Sequence, residues 1–407
     1  MSVNLREIRS LIRLEPFERD PVRRRLAHCH DIDDLRRVAR RRTPRAVFDY
    51  VDGGADDEIS MAANVDALRR WRFTPRSLAD VSSVDTATRL FDRPAALPLV
   101  LAPTGYTRMM HPVGEPAVAR VTARRGVPYT LSTVGTTSVE DLAAIAGHPD
   151  LWFQLYVWKD RKTSWELVDR AAAAGYRVLE VTVDTAVAGH RGRDLRNGLT
   201  VPPSLTVRTL LDLGSRPGYW TRMLRSPGLE FANLAGANGV PGSVTMENMA
   251  GQFGPVTWED IAELRRRWAG PLVVKGPVGP DDARRAVDAG VDGLHLSNHG
   301  GRQLDRLMPP IDTVAEVRAA VGDDVCVLVD SGIRHGADLA VAVALGADAG
   351  AIGRAYLYGL MAGGIRGVDR ALELLTAQFT RTLQLLGVSS VRELRDHGRE
   401  LIRREPG

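Results

Sequence analysis

The chain has 407 residues, enough for a large core, and its 44% hydrophobic and 26% charged content is that of a soluble globular protein. A formal net charge of +4 is too small at this length to mark a nucleic-acid binder. Two cysteines, Cys29 and Cys326, form neither a disulfide framework nor a metal-ligand spacing, and no run approaches the roughly 20 apolar residues that span a bilayer.

The N-terminus lacks the apolar stretch of a secretory signal, so a cytoplasmic location is expected, with a peripheral membrane contact left open. Basic residues gather early, at Arg23–Arg25, Arg36–Arg37 and Arg40–Arg42. Two readings fit such runs: a solvated helix face, or a surface for anionic lipid or an acidic partner. Asp31 has the character of a helix cap, and Thr43-Pro44 reads as an N-cap followed by proline at the first helical position. Residues 1–95 are expected to form a helical, then irregular, segment packed on the remainder of the fold.

Strand and helix patterns alternate beyond Phe73. Eight short apolar runs read as strands: Leu97–Ala102, Pro128–Ser132, Trp152–Tyr156, Val178–Val183, Leu272–Lys275, Gly293–Ser297, Cys326–Val329 and Ala349–Ile352. Their apolar, β-branched character suits a sheet covered on both faces. Amphipathic segments such as Asp160–Ala174, Pro280–Ala289 and Gly336–Leu345 lie between most pairs. Eight βα units with right-handed crossovers predict an α/β fold, a (β/α)8 TIM barrel over residues 96–385, with a C-terminal tail over 386–407. One connection is abnormally long. Residues 184–257 are rich in Gly, Pro, Arg and Trp and read as a lid-like loop, in which Pro202-Pro203, Pro217 and Pro227 argue against one long helix.

Chemistry in such a barrel sits at the C-terminal strand ends. Polar residues cluster there at nearly every strand: Thr104-Gly105, Ser132, Gln154 and Tyr156, Thr182 and Asp184, Lys275, Asn298-His299, Asp330-Ser331-Gly332 and Gly353-Arg354. The segments after the last two strands, with Arg334 and Arg354, fall where barrels of this type hold phosphate, although tight turns alone would also explain the glycines. Lys275 ends its strand; it suits either a Schiff base or a charge beside an electron-rich ring. His299 is followed by two glycines and Arg302, which places an imidazole that titrates near neutrality beside a guanidinium that can fork a carboxylate. Asp184, at another strand end, suits holding that imidazole in one tautomer.

Ser297-Asn298-His299-Gly300-Gly301-Arg302-Gln303-Leu304-Asp305 is a specific signature. Phe48–Ala55, Ala102–Gly105, Gln154–Tyr156, Thr182–Asp184, Arg196–Gly198, Val274–Gly276 and Asp330–Arg334 join it in order. With these, the chain resembles the FMN-dependent L-2-hydroxy acid oxidases and dehydrogenases, from about residue 30 to 395. Arg41–Ala46 and Gly353–Gly364 are most similar to the actinobacterial L-lactate dehydrogenases, linked to quinone or cytochrome. The resemblance implies FMN, with its phosphate at Arg334, Gly353 and Arg354, Lys275 at one edge of the ring, and Thr104, Gly105, Ser132, Gln154 and Thr182 along it. Ser297, Asp330 and Gly332 complete the implied cofactor set. It further implies Tyr50, Arg302 and Arg191 at the substrate carboxylate, Tyr156 at the 2-hydroxyl and His299 as base, oriented by Asp184. The hydride and carbanion routes both remain open.

Three departures stand out. Ser331 replaces a glycine common in the family. Gly105 and Val134 stand where glycolate oxidases carry Ala and Trp, and both changes are expected to widen the space over the flavin, admitting side chains from lactate's methyl to mandelate's ring. The implied partners are a small 2-hydroxy acid and an electron acceptor (quinone, cytochrome or O2). No metal is implied, and a homotetramer or larger assembly is. Within the long loop, Trp220, Arg222 and Arg225 are candidates for contact with a membrane or redox partner. Alternatives are an oxidase using O2, a biosynthetic enzyme with a specialised substrate, an FMN-barrel isomerase, a Schiff-base lyase, and a binding barrel without catalysis.

Overall fold

The computed structural model describes residues 18–147, 149–198, 214–233 and 251–405. Eight parallel strands close a barrel: β1 (Leu99–Leu101), β2 (Tyr129–Ser132), β3 (Leu151–Leu155), β4 (Val178–Thr182), β5 (Leu272–Gly276), β6 (Gly293–Leu296), β7 (Cys326–Val329) and β8 (Ala349–Ile352). They follow in sequence order round the barrel, and β8 pairs back onto β1. Each expected strand run overlaps one of them, with ends shifted by no more than two residues; β3 starts one residue earlier than expected and β5 ends one residue later. The expected helices appear as Arg161–Ala173, capped by Asp160, then Pro280–Asp288 and Gly336–Ala344.

Alternation along the strands builds two cores. One face of each strand packs outward against the helices, as Leu99, Leu131, Phe153, Leu179, Val181, Val274, Leu294 and Val327 do. The other face fills the barrel, and its lower part is a separate apolar cluster of Val100, Trp152, Val178, Val273, Leu328, Ala349 and Ala351. A hairpin not foreseen in the sequence, Thr88–Leu90 with Arg93–Ala95, caps this lower end. Its two turn residues, Phe91 and Asp92, have φ of 47° and 62°, the left-handed geometry of a two-residue hairpin turn. Phe91 meets Trp152 edge-on at 5.6 Å, and Arg177 donates to the carbonyls of Leu90 and Phe91 while gripping Asp150 with both prongs. Trp152 is fully buried, so its loss to Ala would cost about 3–5 kcal/mol.

Helices Pro21–Ala27, Ile32–Arg42, Arg45–Asp52 and Ile59–Arg69 precede the barrel. Asp31 caps the second of them, its carboxylate accepting from Asp34 N at 2.6 Å. The Thr43-Pro44 expectation is corrected. Pro44 is itself the N-cap, and Thr43 Oγ1 donates back to Ala39 O at 2.9 Å, closing the preceding helix. The arginine runs lie mainly on exposed faces, although Arg36 forks the buried Asp52. The C-terminal stretch is more than a tail: helix Val391–His397 packs on the barrel layer, and Ile402–Arg404 pairs antiparallel with Trp71–Phe73.

In the long connection after β4, helices Gly192–Asn197 and Pro217–Met223 lead towards Trp258–Arg267, and the Pro202-Pro203 break lies outside the described residues. Trp220 is not an outward anchor. It packs against the main core and edge-on to Tyr219 at 5.0 Å, leaving Leu224 and Arg225 exposed.

Candidate active site

The C-terminal strand ends surround one cleft with about 1310 Å³ of empty space, its open mouth included. Thr104, Gly105, Val134, Tyr156, Thr182, Lys275, Asp330, Gly332, Arg334, Gly353 and Arg354 line it, together with Tyr50, Arg191, His299 and Arg302. Ser132, Gln154 and Ser297 lie buried beneath its floor rather than on its wall. Ser132 Oγ donates to Gln154 Oε1 at 3.0 Å, and Gln154 Nε2 donates to Thr182 Oγ1 at 3.0 Å. Each polar group in the floor therefore orients the next.

His299 sits on a strained turn. Its φ is 58°, and Gly300 and Gly301 continue in the same left-handed region at 66° and 71°. Ser297 Oγ accepts from His299 N at 3.0 Å and holds the turn. The imidazole then spans two side chains. Its Nδ1 lies 3.1 Å from Asp184 Oδ1, and its Nε2 lies 3.4 Å from the Tyr156 hydroxyl. Burial pushes the Asp184 carboxyl up, but His299 and Lys275 outweigh it and hold that carboxyl below its usual range. Burial pushes the Tyr156 phenol up, so it is a hydrogen-bond donor at neutral pH.

Arg302 stands across the cleft. Its Nη1 donates to the carbonyls of Tyr50 and Gly53 at 2.6 and 3.0 Å, which leaves Nε and Nη2 without a partner among the described residues. Two guanidinium groups lie over the Tyr50 ring, Arg302 at 5.0 Å and Arg191 at 5.8 Å from its centroid. A carboxylate is the natural ligand for an unfilled guanidinium edge beside a second cation.

Two members of the signature act on structure instead. Asn298 and Asn64 exchange reciprocal side-chain hydrogen bonds at 2.7 and 2.9 Å. Asp305 accepts from the main-chain N–H groups of Ile59 and Ser60, capping the helix that supports the site.

Lys275 is buried, yet its ammonium is favoured: burial opposes the charge, and Asp330, Glu180 and Asp184 more than restore it. Its Nζ donates to Ser297 Oγ at 2.9 Å and lies 3.3 Å from Asp330 Oδ2. Ser331 adopts φ of 71°, the backbone a glycine would suit. Its hydroxyl supports that geometry, donating to Asp330 Oδ1 at 2.6 Å and accepting from Gly300 N at 3.1 Å.

The cleft's far end fits a phosphate. Gly353 begins helix Arg354–Gly363 with no side-chain cap, and a Cβ there would meet only Thr104 at 3.6 Å, so the helix N-terminus is open to a ligand. Gly332 and Arg334 line the same end. Arg354 is engaged otherwise: its Nε, Nη1 and Nη2 donate to the carbonyls of Val51, Gly300 and Gly53. It adds charge near the phosphate end while tying the N-terminal segment to the barrel. The donor set therefore fits FMN, with anion contacts at one end and a buried ammonium at the other.

Gly105 and Val134 face each other in the wall of the cleft. A Cβ at position 105 would lie 2.5 Å from Val134 Cγ2, so the valine fills the space the glycine leaves. Phe253, missed in the sequence, lines the cleft and stacks on Tyr156 at 4.7 Å. It returns from a distant loop, and only its placement between glycines in Gly251–Gly254 hinted at a turn. Met110, Val187 and Ala188 add further apolar lining.

Comparison with known proteins agrees with this geometry. A family profile described as FMN-dependent dehydrogenase matches residues 39–403. The chain is 48% identical over 400 residues to a Mycobacterium tuberculosis protein provisionally named L-lactate dehydrogenase, covering 97% of this chain and 96% of that one. It is 42% identical over 358 residues to 4-hydroxymandelate oxidase of Amycolatopsis orientalis, covering 88% and 94%. Among solved structures, a monotopic membrane (S)-mandelate dehydrogenase superposes with a TM-score of 0.88 at 38% identity, over 93% of this chain and 100% of that one.

Proposed function

The chain belongs to the FMN-dependent dehydrogenase family, and from that premise we propose that it oxidises an L-2-hydroxy acid to the 2-oxo acid. The observation that carries this reading is the meeting, across one cleft, of the His299–Asp184 pair with the unfilled edge of Arg302. Bound FMN supplies the two-electron acceptor.

Arg302, with Tyr50 and Arg191 beside it, holds the substrate carboxylate. That anchor turns the 2-carbon towards His299. The Tyr156 hydroxyl donates to the substrate oxygen. His299 Nε2 takes the proton that the substrate releases, and Asp184, on the opposite nitrogen, stabilises the imidazolium that results. Lys275 keeps a positive charge at the floor of the cleft, where it would stabilise the charge of a reduced flavin. Thr104, Thr182 and Gly105 would face the ring, with Ser132, Gln154 and Ser297 supporting from below; Gly332, Arg334 and Gly353 would take the phosphate, with Arg354 adding charge and Asp330 steadying Lys275.

The apolar wall of Met110, Val134, Val187, Ala188 and Phe253 supports acids with apolar side chains, from lactate to mandelate. A quinone or cytochrome is the proposed acceptor, with O2 as the alternative, since relatives of both dehydrogenase and oxidase name lie close. Among the described residues no helix is long and apolar enough to cross a membrane. The membrane-bound relative and the exposed Leu224-Arg225 support an enzyme resting on the bilayer surface; a cytoplasmic location and a homotetramer or larger assembly belong to the same proposal.

The test is direct. The purified protein should be yellow, and anaerobic L-lactate or (S)-mandelate should bleach it. A protein that takes up no FMN, or one that no 2-hydroxy acid bleaches, overturns the reading.

A further inference from the structure

Two buried ionisable groups, Glu180 and His295, do not line the cleft. Glu180 and His295 have no exposed surface. Glu180 lies on β4 two residues before Thr182, and His295 lies on β6 two residues before Ser297. Alternation therefore points both into the barrel, one layer below the cleft floor. Beneath them the barrel is filled by Trp152, Val178, Val273 and Leu328.

The two groups extend the charges at the floor into a line. Glu180 Oε2 lies 2.8 Å from His295 Nδ1. His295 Nε2 lies 3.2 Å from Asp330 Oδ2, and that same oxygen lies 3.3 Å from Lys275 Nζ. Each imidazole nitrogen faces a carboxylate. A neutral ring carries one N–H and would leave one of the two carboxylates facing a lone pair inside a dry barrel. An imidazolium hydrogen-bonds Glu180 through Nδ1 and meets Asp330 through Nε2 as an ion contact without an aligned hydrogen bond, and the line then alternates in sign from Glu180 to Lys275.

Stability alone is a poor account of this pair. Glu180 Oε1 and His295 Nε2 have no hydrogen-bond partner among the described residues. Replacing a buried ion pair by apolar side chains of similar size is often neutral or stabilising. An electrostatic task is the better account. A lone Asp330 would pull on Lys275 and cancel much of its charge at the cleft, whereas His295 on the far side of that carboxylate shares its attraction.

We propose that Glu180 and His295 are positioning residues: acting through Asp330, they keep the Lys275 ammonium effective at the cleft floor and so raise the tendency of bound FMN to accept electrons. The proposal rests on the reading of the cleft as an FMN site. It requires no contact between either residue and the cofactor.

Two measurements test it. In the Glu180→Leu/His295→Leu double variant, loaded with FMN, the ratio of reduced to oxidised cofactor at a fixed ambient potential should fall about tenfold, equal to about 30 mV for a two-electron couple. A fall of less than threefold, no change, or a rise overturns the proposal, because a merely structural pair would move the unfolding midpoint and not the potential. The second measurement needs no flavin and no variant fold. Nitrogen-15 spectra of histidine-labelled apoprotein should show both nitrogens of His295 protonated at pH 7, and a neutral ring overturns the proposal. Failure of the functional reading is recognised separately, in wild-type protein that no 2-hydroxy acid bleaches.

Discussion

His299 Nδ1 and Asp184 Oδ1 lie 3.1 Å apart although their residues are 115 positions apart in the chain, one following β6 and the other following β4. The contact fixes which imidazole nitrogen faces the cleft, and it supplies the counter-charge for a protonated ring. Asp184→Asn should keep the shape and lose the charge. Anaerobic flavin reduction by the substrate should slow by about 10²–10⁴-fold, the usual range for general-base assistance. FMN should remain bound, as its visible spectrum would show. A variant that bleaches at the wild-type rate removes Asp184 from the mechanism.

Arg302 offers two nitrogens of one planar edge to the cleft. Arg302→Lys keeps the charge and gives up the fork. Substrate affinity should weaken by about 1.5–3 kcal/mol, the worth of a charge-assisted hydrogen bond. Titrating flavin bleaching against acid concentration measures this, and the effect should be smaller for an acid amide, which lacks the carboxylate.

Gly105→Ala places a methyl 2.5 Å from Val134 Cγ2, closer than two carbons can approach. Overpacking of this kind costs about 1–3 kcal/mol, and here it must push Val134 towards the substrate. Activity on mandelate should fall more than activity on lactate. The double change Gly105→Ala/Val134→Ala should restore much of the loss, because it returns the space. A double variant no better than the single one would show that the clash is not the cause.

His295 is raised above the usual histidine value: burial lowers it, and Glu180 on β4 and Asp330 on the loop after β7 more than reverse this, with Lys275 on β5 facing Asp330 from the other side. A raised folded-state pKa means stability that is fully present below the unfolded value of about 6.5 and is lost as pH climbs through the folded one. The wild-type apoprotein should therefore lose ground to Glu180→Leu/His295→Leu as pH rises above 6.5. Urea midpoints of the two proteins, compared from pH 6 upward, measure it. A constant difference across that range removes the linkage.

The eight strand runs and the polar residues at their ends were legible along the chain because a buried parallel strand is a short apolar run, and function in a barrel collects where such runs stop. His299, Arg302, Lys275 and Asp184 could be named from those ends alone. The hairpin at Thr88–Ala95, the strand Ile402–Arg404 and Phe253 could not, since three-residue strands and a returning loop carry no periodicity of their own. Glu180 and His295 lie within runs whose apolar neighbours dominate, and only their two-residue spacing from Thr182 and Ser297 marks them as facing the barrel interior.

By itself the sequence determined the barrel, the face on which its chemistry lies and the residue types gathered there, because alternation and strand ends are local properties of the chain. Only the tertiary structure decided which of those residues act together. It set Asn298 and Asp305 to supporting a helix, turned Arg354 to the main chain, closed Val134 over Gly105, and joined Glu180 to Lys275 through two intervening side chains. Those outcomes depend on distances across the barrel, which strand register and closure set and no stretch of residues records.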